Sequence, residues 1–357
     1  MGSPRVDRAL STPAGDAGRA GDAGPAGDAG RAGDAGLVDD VVAWYASAAR
    51  DLPWRRPGTD AWAVLVCEVM SHQTPVARVE PAWRAWLERW PTPTSLADDS
   101  PGEAVRMWGR LGYPRRALRL HEAAVAVRDR HGGQVPTTYA DLLALPGVGP
   151  YTAGATTAFA HRQRAVVLDV NVRRVLARVH EGTDALPGAP TRAEVDRAER
   201  LLPGEAGRSV AWNAAVMELG ALVCTARSPR CDACPVRTRC RWAETAAPDA
   251  RTPASGDARP AGAARPAGAT QAARTTQTAR PARTTRPART TRPQAWVGTD
   301  RYVRGLLLAV LRDEPGAVPA GRLEAVWHDD DQTARCLAGL LADGLAEATR
   351  GGYRLPL

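Results

Sequence analysis

Four of the six cysteines in this chain of 357 residues lie in one short segment, and this crowding constrains the fold more than any other feature. Their spacing is C-x6-C-x2-C-x5-C, formed by Cys224, Cys231, Cys234 and Cys240. In a reducing compartment such a group indicates a metal centre rather than disulfides. Structural zinc sites usually pair two C-x2-4-C motifs, and only one pair here fits, so the spacing favours an iron–sulfur cluster over zinc.

The positive charge of the chain comes from arginine alone and is concentrated in one segment. All 47 basic residues are arginines, and the formal net charge is +8. Much of the positive excess lies in residues 247–295, where the repeat ARPARTTRPARTTRP combines arginine with proline and threonine. A basic chain of this kind indicates a polyanionic partner such as nucleic acid, or only a well-solvated surface.

Two segments lack the apolar residues that a folded core needs. Residues 1–36 repeat GDAG-like units, and residues 247–295 have no hydrophobic period. We expect both to be disordered, the second as a basic linker. No apolar run reaches the roughly 18 residues of a membrane span, and no apolar segment of the signal-peptide type precedes the first domain. The expected location is therefore cytoplasmic, with no membrane partner.

The remaining residues form two folded units. In residues 37–246 apolar positions recur at intervals of three and four, and glycine and proline separate the periodic runs, so the sequence predicts an all-α domain. Residues 296–357 predict three helices, at 301–312, 322–327 and 332–342, followed by a two-stranded hairpin. This order is typical of a small winged-helix-like domain. Its net negative charge favours protein packing at least as much as DNA contact.

The stretch LPGVGPYTAG joins two predicted helices and contains Gly147, Val148 and Gly149. Glycines let the backbone turn sharply, and the amide groups of a helix that starts near Thr152 carry partial positive charge. Such a turn suits a phosphate, although it also suits an ordinary connection between helices. The pattern L-P-G-V-G-x-x-T-A is similar to the hairpin of helix-hairpin-helix DNA-binding proteins, in which the backbone holds a phosphate without reading sequence.

Two acidic positions are candidates for catalysis. Glu68 lies within the apolar run AVLVCEVM, where a carboxyl holds its proton more strongly and suits a general acid. Most glutamates in helices are simply exposed, so this alternative stays open. Asp169 and Asn171 precede a helix in VVLDVNVRRVLARV, and both residue types also serve as N-caps.

Four motifs occur in a fixed order before the cysteine segment: EVMSHQTPV, LGYPRRALRLH, LPGVGPYTAGA and LDVNVRRVLAR. Together with that segment they resemble the MutY adenine glycosylases of the endonuclease III superfamily, over residues 38–242. The resemblance implies a helix-hairpin-helix glycosylase core and a [4Fe-4S] cluster on the four cysteines. It also implies a monomer that binds double-stranded DNA and removes adenine mispaired with 8-oxoguanine or guanine.

The same resemblance implies the roles of the candidate catalytic residues. Glu68 protonates the adenine and later activates water. Asp169 stabilises the positive charge that develops on the sugar as the base leaves. Asn171 and Tyr151 fix the geometry around the reacting sugar.

The resemblance also implies which residues contact the substrate. The segment RDLPWR lines the adenine pocket, Gln73 and Tyr113 enter the base stack near the mispair, and the hairpin and the cysteine segment contact the DNA backbone. The residues carried over are Arg50, Leu52, Trp54, Arg55, Gln73, Thr74, Tyr113, Gly147, Val148, Gly149, Arg227 and Arg230.

The position of Tyr151 separates two reaction types. Lyase members of the superfamily place there a lysine that forms a Schiff base with the sugar. This chain has no lysine, so a monofunctional glycosylase is the expected class. The alternatives are an endonuclease III-like glycosylase for oxidised pyrimidines and a non-catalytic iron–sulfur protein that binds DNA.

The sequence departs from the family pattern at three positions and at its C-terminus. MSHQT replaces the usual MLQQT, which places Ser71 and His72 beside Gln73, and Val170 stands where glycine is common. Typical members end in a Nudix-like domain that recognises 8-oxoguanine. Residues 296–357 are too short for it, so the preference for the opposite base is left open.

Overall fold

The computed structural model describes residues 25–185, 187–245 and 297–357. These residues are mostly helical, which confirms the all-α class. The elements are α1 (Pro25–Ala48), α2 (Ala61–Ser71), α3 (Val76–Arg89), α4 (Pro93–Ala97), α5 (Pro101–Trp108), α6 (Arg115–His131), α7 (Tyr139–Leu143), α8 (Pro150–Phe159), α9 (Val170–Glu181), α10 (Arg192–Leu201), α11 (Ala206–Leu222), α12 (Arg241–Thr245), α13 (Asp300–Asp313), α14 (Ala320–Glu324), α15 (Asp330–Ala342), β1 (Glu347–Thr349) and β2 (Gly352–Arg354). Short 3-10 helices occupy Pro53–Arg55, Cys231–Ala233 and Arg237–Arg239.

Side chains fix where several of these helices begin. Asp60, Thr92, Ser100 and Thr138 each precede a helix and accept a hydrogen bond from a backbone amide of its first turn. A cap of this kind satisfies an amide that has no partner inside the helix and contributes about 1 kcal/mol. The boundaries of α2, α4, α5 and α7 therefore follow from local sequence.

Helices α2 to α7 and the start of α8 enclose the first hydrophobic core. Its centre is a group of tryptophans: Trp86 lies edge-on against Trp90 and Trp108, with ring centroids 4.6 and 5.7 Å apart. All three side chains are fully buried. Edge-to-face pairs add to the free energy gained from burying these large rings.

A second core lies between α1, α9, α10, α11 and the cysteine segment. Val172 and Val175 of α9, Trp212 and Leu219 of α11, and Val41 of α1 are buried in it. The α8 helix and the irregular stretch before α9 lie between the two cores, where Ala155, Ala158 and Val167 are buried. Helix α8 therefore contacts α2 of the first core and α11 of the second, and residues of these three helices come close together.

The start of α1 corrects one predicted boundary. Residues 1–36 were expected to be disordered, but α1 begins at Pro25. Leu37, Val38 and Val41 bury one face of the helix, which allows the Ala- and Gly-rich turns before them to continue it. Residues 1–24, where disorder was also predicted, and the predicted linker 247–295 lie outside the described residues.

The C-terminal unit consists of α13, α14, α15 and a β-hairpin, in the order that the sequence predicts. β1 pairs antiparallel with β2, with Glu347 opposite Arg354 and Thr349 opposite Gly352. Thr299 and Asp329 cap α13 and α15. Its kinship with winged-helix domains stays a prediction.

This unit shares the first core instead of forming a separate one. Leu307, Leu311 and Leu340 belong to the same buried cluster as Trp108. Hydrogen bonds fix the contact: Arg312 Nε donates to the Val105 carbonyl oxygen at 2.9 Å, and the amide of Gly102 donates to the Pro356 carbonyl oxygen at 2.8 Å. Helix α5 is thus enclosed by both units. In the part of the chain that the structure describes, no helix is long and apolar enough to cross a membrane.

Gly102→Ala tests this close contact. A Cβ at position 102 would lie 2.3 Å from the Pro356 carbonyl oxygen, so we expect the free energy of unfolding to fall by about 1–3 kcal/mol. Gly305→Ala in α13 is the matched control, because a Cβ there meets nothing within 4 Å and is expected to stabilise the helix by up to about 1 kcal/mol. Urea unfolding measures both, and an unchanged midpoint for Gly102→Ala would contradict the packing described.

Candidate active site

Glu68 lies at the junction of α2 and α8 and is buried, with 8% of its surface exposed. The hydroxyl of Tyr151 donates a hydrogen bond to Glu68 Oε2 at 2.7 Å. Burial raises the pKa of Glu68 to about 7, the Tyr151 hydrogen bond opposes this rise, and the charge of Asp169 adds to it. The exposed alternative for Glu68 is therefore wrong, and the carboxyl can hold a proton near neutral pH.

Tyr151 reaches Glu68 from the first turn of α8, which begins at Pro150 and not at Thr152 as expected. Gly154 lets this helix approach the stretch before α9, because a Cβ there would lie 2.2 Å from the Val166 carbonyl oxygen. Burial and the nearby carboxylates raise the pKa of the Tyr151 phenol well above its usual value. The phenol therefore stays protonated and remains a hydrogen-bond donor.

Asp169 both caps α9 and lies near Glu68. Its Oδ1 accepts a hydrogen bond from the Val172 amide at 2.7 Å, and its Oδ2 accepts one from Asn171 Nδ2 at 2.7 Å. Burial raises the pKa of Asp169, and these two hydrogen bonds oppose the rise. Asp169 is therefore both the N-cap of α9 and a neighbour of Glu68. Val170, the unusual residue of this motif, is the first residue of α9 and is 68% exposed.

Arg174 extends this arrangement and was missed by sequence reasoning. Its Nη2 donates to Asn171 Oδ1 at 2.8 Å and to the Gly220 carbonyl oxygen at 2.7 Å, and its Nε donates to the Cys224 carbonyl oxygen at 2.7 Å. One side chain therefore joins the start of α9, the end of α11 and the first cysteine of the cluster segment. Arg174 follows Asn171 by three residues on the same helix, and this spacing could have predicted that the two side chains meet.

The segment RDLPWR is held by Glu218 of α11, which is fully buried. Glu218 Oε1 accepts from Arg50 Nε at 2.7 Å, and Oε2 accepts from Arg50 Nη2 at 2.9 Å and Arg55 Nη2 at 3.0 Å. Burial opposes ionisation here, but the hydrogen bonds from Arg50 and Arg55 lower the pKa of Glu218 to about 2. Glu218 was also missed, although it stands among apolar residues in AVMELGAL just as Glu68 does in its own helix.

The other candidate side chains of this segment, Leu52, Trp54 and Arg55, are at least partly buried. Leu52 is buried, and Trp54 packs edge-on against Trp83 with ring centroids 5.7 Å apart. The positive charge of Arg55 acts on Glu68 and opposes the rise of its pKa. Arg55 Nη1 is buried and has no hydrogen-bond partner among the described residues. The structure therefore places Arg55 near Glu68 and joins it to Arg50 through Glu218, while a base pocket lined by Arg50, Leu52, Trp54 and Arg55 stays a prediction.

Gln73 and Tyr113 lie in two turns with left-handed backbones. Their φ angles are +54° and +49°, a conformation that non-glycine residues rarely adopt. Tyr113 is 49% exposed, so the buried alternative for it is wrong. Both residues line a cavity of about 1100 Å³ between the first domain and α13. Backbone strain of this kind is frequent at functional sites.

Arg116, also missed, joins these two turns. Its Nη1 donates to the carbonyl oxygens of His72 at 2.7 Å and Val69 at 2.9 Å, and its guanidinium stacks over the Tyr113 ring at 5.1 Å from the centroid. Thr74 is buried beside them, and its hydroxyl donates to the His72 carbonyl oxygen at 3.1 Å. The side chain of Thr74 therefore supports the turn from inside.

The LPGVG hairpin lies between α7 and α8. Gly147 adopts φ +75°, and a Cβ there would lie 2.5 Å from the Arg119 Cβ, so only glycine fits. The amide of Val148 donates to the Leu145 carbonyl oxygen at 3.1 Å and closes the turn, while a Cβ on Gly149 would meet nothing within 4 Å. The predicted helix-hairpin-helix is present, and its open side lies at the start of the helix that carries Tyr151.

The four cysteines line one cavity together with Arg178, Trp242 and apolar residues of α9 and α11. Arg178 Nη1 donates to Cys224 Sγ at 3.5 Å and to the Thr225 carbonyl oxygen at 2.8 Å. Within the described residues no three candidate ligands converge closely enough for a single metal ion. Four thiols around one cavity fit the larger iron–sulfur cluster better than one zinc ion.

The two arginines of the cysteine segment differ in their surroundings. Arg227 is exposed on the loop between Cys224 and Cys231. Arg230 turns back, and its Nη2 donates to the Leu222 carbonyl oxygen at 2.5 Å. Arg227 therefore extends to the surface, while Arg230 also closes the end of α11.

Comparison with protein families supports the assignment of both regions. Residues 66–200 match the family described as HhH-GPD superfamily base excision DNA repair protein. Residues 224–240, from the first cluster cysteine to the last, match the iron-sulfur binding domain of endonuclease III. The cofactor is therefore a [4Fe-4S] cluster, as the cysteine spacing favours.

Several individual proteins that this chain resembles in sequence are adenine DNA glycosylases. The adenine DNA glycosylase of Mycolicibacterium smegmatis is 45% identical over 314 residues, 88% of this chain and 93% of that protein. The adenine DNA glycosylase of Mycobacterium tuberculosis is 43% identical over 322 residues, 89% of this chain and 92% of that protein. Human adenine DNA glycosylase is 42% identical over 210 residues, 56% of this chain and 38% of that protein.

Solved structures show the same fold. A thermostable thymine-DNA glycosylase superposes with a TM-score of 0.56 at 26% identity, covering 61% of this chain and 100% of that one. The resemblance read from the motifs is confirmed, as is the DNA glycosylase class of enzyme. By its sequence, its fold and its two family matches, this chain belongs to the adenine DNA glycosylases.

Proposed function

We propose that this enzyme hydrolyses the N-glycosidic bond of an adenine that lies opposite 8-oxoguanine or guanine in double-stranded DNA. The observation that carries the proposal is the Tyr151–Glu68 hydrogen bond of 2.7 Å at a buried carboxyl. An acid with a pKa of about 7 beside a second carboxyl matches the two-carboxylate chemistry of glycosidic bond cleavage.

Glu68 begins the reaction as general acid. The adenine leaves the duplex stack, at an unstacking cost of a few kcal/mol, and enters the pocket of Arg50, Leu52, Trp54 and Arg55. The buried Arg55 Nη1, which lacks a partner among the described residues, suits a ring nitrogen of the base. Glu68 then protonates N7, and the base becomes a better leaving group.

Asp169 stabilises the sugar cation that remains when the C1′–N9 bond breaks. Asn171, held by Arg174, orients one oxygen of this carboxylate, and the Val172 amide orients the other. The Tyr151 hydroxyl fixes the Glu68 carboxylate, which accepts a proton from the attacking water. Because the chain has no lysine, no Schiff base forms, and the product is an abasic site without strand cleavage.

DNA is held by three further groups of residues. The hairpin amides around Gly147, Val148 and Gly149 take a backbone phosphate, and Arg227 and Arg230 add charge from the cysteine segment. Gln73 and Tyr113 enter the base stack, supported by Thr74. The enzyme acts as a monomer on duplex DNA, in the cytoplasm and on the nucleoid.

The [4Fe-4S] cluster, when bound to Cys224, Cys231, Cys234 and Cys240, supplies four iron–thiolate bonds that hold this segment in place. Hydrolysis transfers no electrons, so Glu68 and Asp169 carry the reaction. Arg174 and Arg178 contact the first cysteine from two successive turns of α9 and hold that segment against the helix.

The test is a single-turnover assay on duplexes with adenine opposite 8-oxoguanine, guanine, cytosine or thymine. We expect cleavage of the adenine strand only after alkali treatment, fastest opposite 8-oxoguanine. Cleavage without alkali would indicate a lyase, and release of oxidised pyrimidines in place of adenine would indicate the endonuclease III-like alternative. Duplex binding with no base release would indicate a DNA-binding protein without catalysis.

The pH dependence of the same assay checks the acid. Because Glu68 must be protonated and its pKa is about 7, the rate is expected to fall about tenfold per pH unit above that value. Asp169, Arg55, Tyr151 and Cys67 are the ionisable groups that act on Glu68. The single-turnover rate constant measured from pH 5 to 9 gives the profile, and a decline centred near pH 4.5 would show an exposed, ordinary carboxyl.

A further inference from the structure

His72 occupies a position between the acid and the turn that carries Gln73. Its ring Nε2 lies 3.2 Å from the Thr152 hydroxyl, within hydrogen-bond distance. The His72 ring also lies against the Tyr151 ring, with centroids 5.5 Å apart and planes at 57°. Thr152 and Tyr151 belong to the first turn of α8, so the side chain of His72 bears directly on the residue that holds Glu68.

The backbone of His72 belongs to the turn that carries Gln73. His72 follows the last residue of α2, and its carbonyl oxygen accepts hydrogen bonds from Arg116 and from the Thr74 hydroxyl. The next residue is Gln73, whose φ is +54°. A change in the conformation of this turn therefore moves the His72 Cα and the ring attached to it.

The His72 ring is uncharged when it contacts Thr152. Burial lowers the pKa of His72, and the positive charge of Arg116 lowers it further, so the imidazole is uncharged at neutral pH. A neutral imidazole offers one donor and one acceptor nitrogen, and the Thr152 hydroxyl can pair with either. The contact adds no charge next to Glu68.

We propose that His72 is a positioning residue that couples the insertion of Gln73 into the duplex to the placement of the Tyr151 hydroxyl on Glu68. The inference rests on the proposed function, because it assigns Gln73 to the base stack and Glu68 to the chemistry. When Gln73 is seated between bases, the turn 72–74 is held, and the His72 ring holds the first turn of α8. Seating Gln73 therefore keeps the acid in the geometry that the structure shows, with the Tyr151 hydroxyl 2.7 Å from Glu68 Oε2.

The coupling predicts a loss of rate without a loss of affinity. A displacement of about 1 Å at a reacting group can lower a rate by up to a hundredfold, and the Tyr151 hydroxyl lies one contact away from His72. We expect His72→Phe, which keeps an aromatic ring but loses Nε2, to lower the single-turnover rate about tenfold. Thr152→Val, which removes the hydroxyl from the other side, is expected to have the same effect.

The experiment measures two quantities for each variant of the full-length, cluster-loaded protein. One is the single-turnover rate on adenine opposite 8-oxoguanine, and the other is the Kd for a duplex with 2′-fluoro-2′-deoxyadenosine, which resists hydrolysis. Kd is expected to stay within about twofold. His131→Phe, at the far end of α6 and about 22 Å along the helix from Arg116, is the matched control and is expected to leave both unchanged.

Two further variants separate positioning from a general loss of structure. His72→Gln keeps a side chain that can pair with Thr152, so it is expected to restore most of the rate. Gln73→Ala is expected to lower the rate in the wild type but to have little further effect in His72→Phe, since the coupling is already lost. Should His72→Phe fail to fold, the nearly isosteric Thr152→Val carries the same test.

The outcomes are distinct for the two proposals. A wild-type enzyme that releases no adenine would refute the proposed function itself. An active wild type with unchanged rates in His72→Phe and Thr152→Val would overturn only the role of His72. Full additivity of His72→Phe and Gln73→Ala would overturn the coupling in the same way.

Discussion

Glu68→Gln is expected to lower the single-turnover rate of adenine release by about a hundred- to ten-thousandfold, the usual contribution of a general acid. Glutamine has no proton to give to the leaving base. Its amide oxygen can still accept the Tyr151 hydrogen bond, so the geometry of the site is kept. The rate of adenine release opposite 8-oxoguanine, with alkali treatment, measures the loss.

Protein stability is expected to change in the opposite direction. The folded-state pKa of Glu68 is raised to about 7, so above pH 4.5 ionisation favours the unfolded chain. A neutral glutamine removes this term, and the free energy of unfolding at pH 8 is expected to equal or exceed that of the wild type. Glu88→Gln, at an exposed position of α3, is the control for rate and stability. A variant at Glu68 that keeps more than about a tenth of the wild-type rate would refute the acid role.

Asp169→Asn is expected to lower the same rate by about a hundred- to a thousandfold, because the charge that stabilises the sugar cation is lost. Asparagine is as good an N-cap as aspartate, so α9 keeps its first turn. The new amide would face the Asn171 amide, whose oxygen is already engaged by Arg174, and this conflict costs about 1 kcal/mol. Single-turnover kinetics and thermal unfolding measure the two effects separately.

Asp329→Asn is the matched control for Asp169→Asn. Asp329 caps α15, where its Oδ1 accepts a hydrogen bond from the Gln332 amide at 2.9 Å, but it lies in the C-terminal unit. It is expected to leave the rate unchanged and the stability nearly so. Equal rates for the variants at Asp169 and Asp329 would show that the carboxylate serves α9 only as a cap.

Local sequence was sufficient wherever the physical cause is local. Apolar periodicity predicted the helices, and the glycines of LPGVG predicted the hairpin, because backbone conformation depends on neighbouring residues. The spacing of the four cysteines indicated a cluster, since a single loop supplies all the ligands. The motifs around Glu68 and Asp169 identified the family, which the relatives confirm.

Local sequence failed wherever a partner is distant. Glu218 meets Arg50 across 168 residues, and Arg174 meets Cys224 across 50, and no periodicity encodes such pairs. The start of α1 at Pro25 depends on what its apolar face packs against, so composition alone placed the boundary too late. The sequence predicted the C-terminal unit as a separate domain, but its buried leucines belong to the same core as Trp108 of α5.

The sequence by itself therefore determined the fold class and the cluster and indicated the two candidate carboxyl groups, because the motifs that carry each are short and continuous along the chain. The tertiary structure alone decided which groups surround the carboxyls. It placed Tyr151 on Glu68, buried that carboxyl enough to raise its pKa, and joined the Gln73 turn to α8 through His72. Burial and long-range contact set the energy of an ionisable group, and both exist only once the helices have packed.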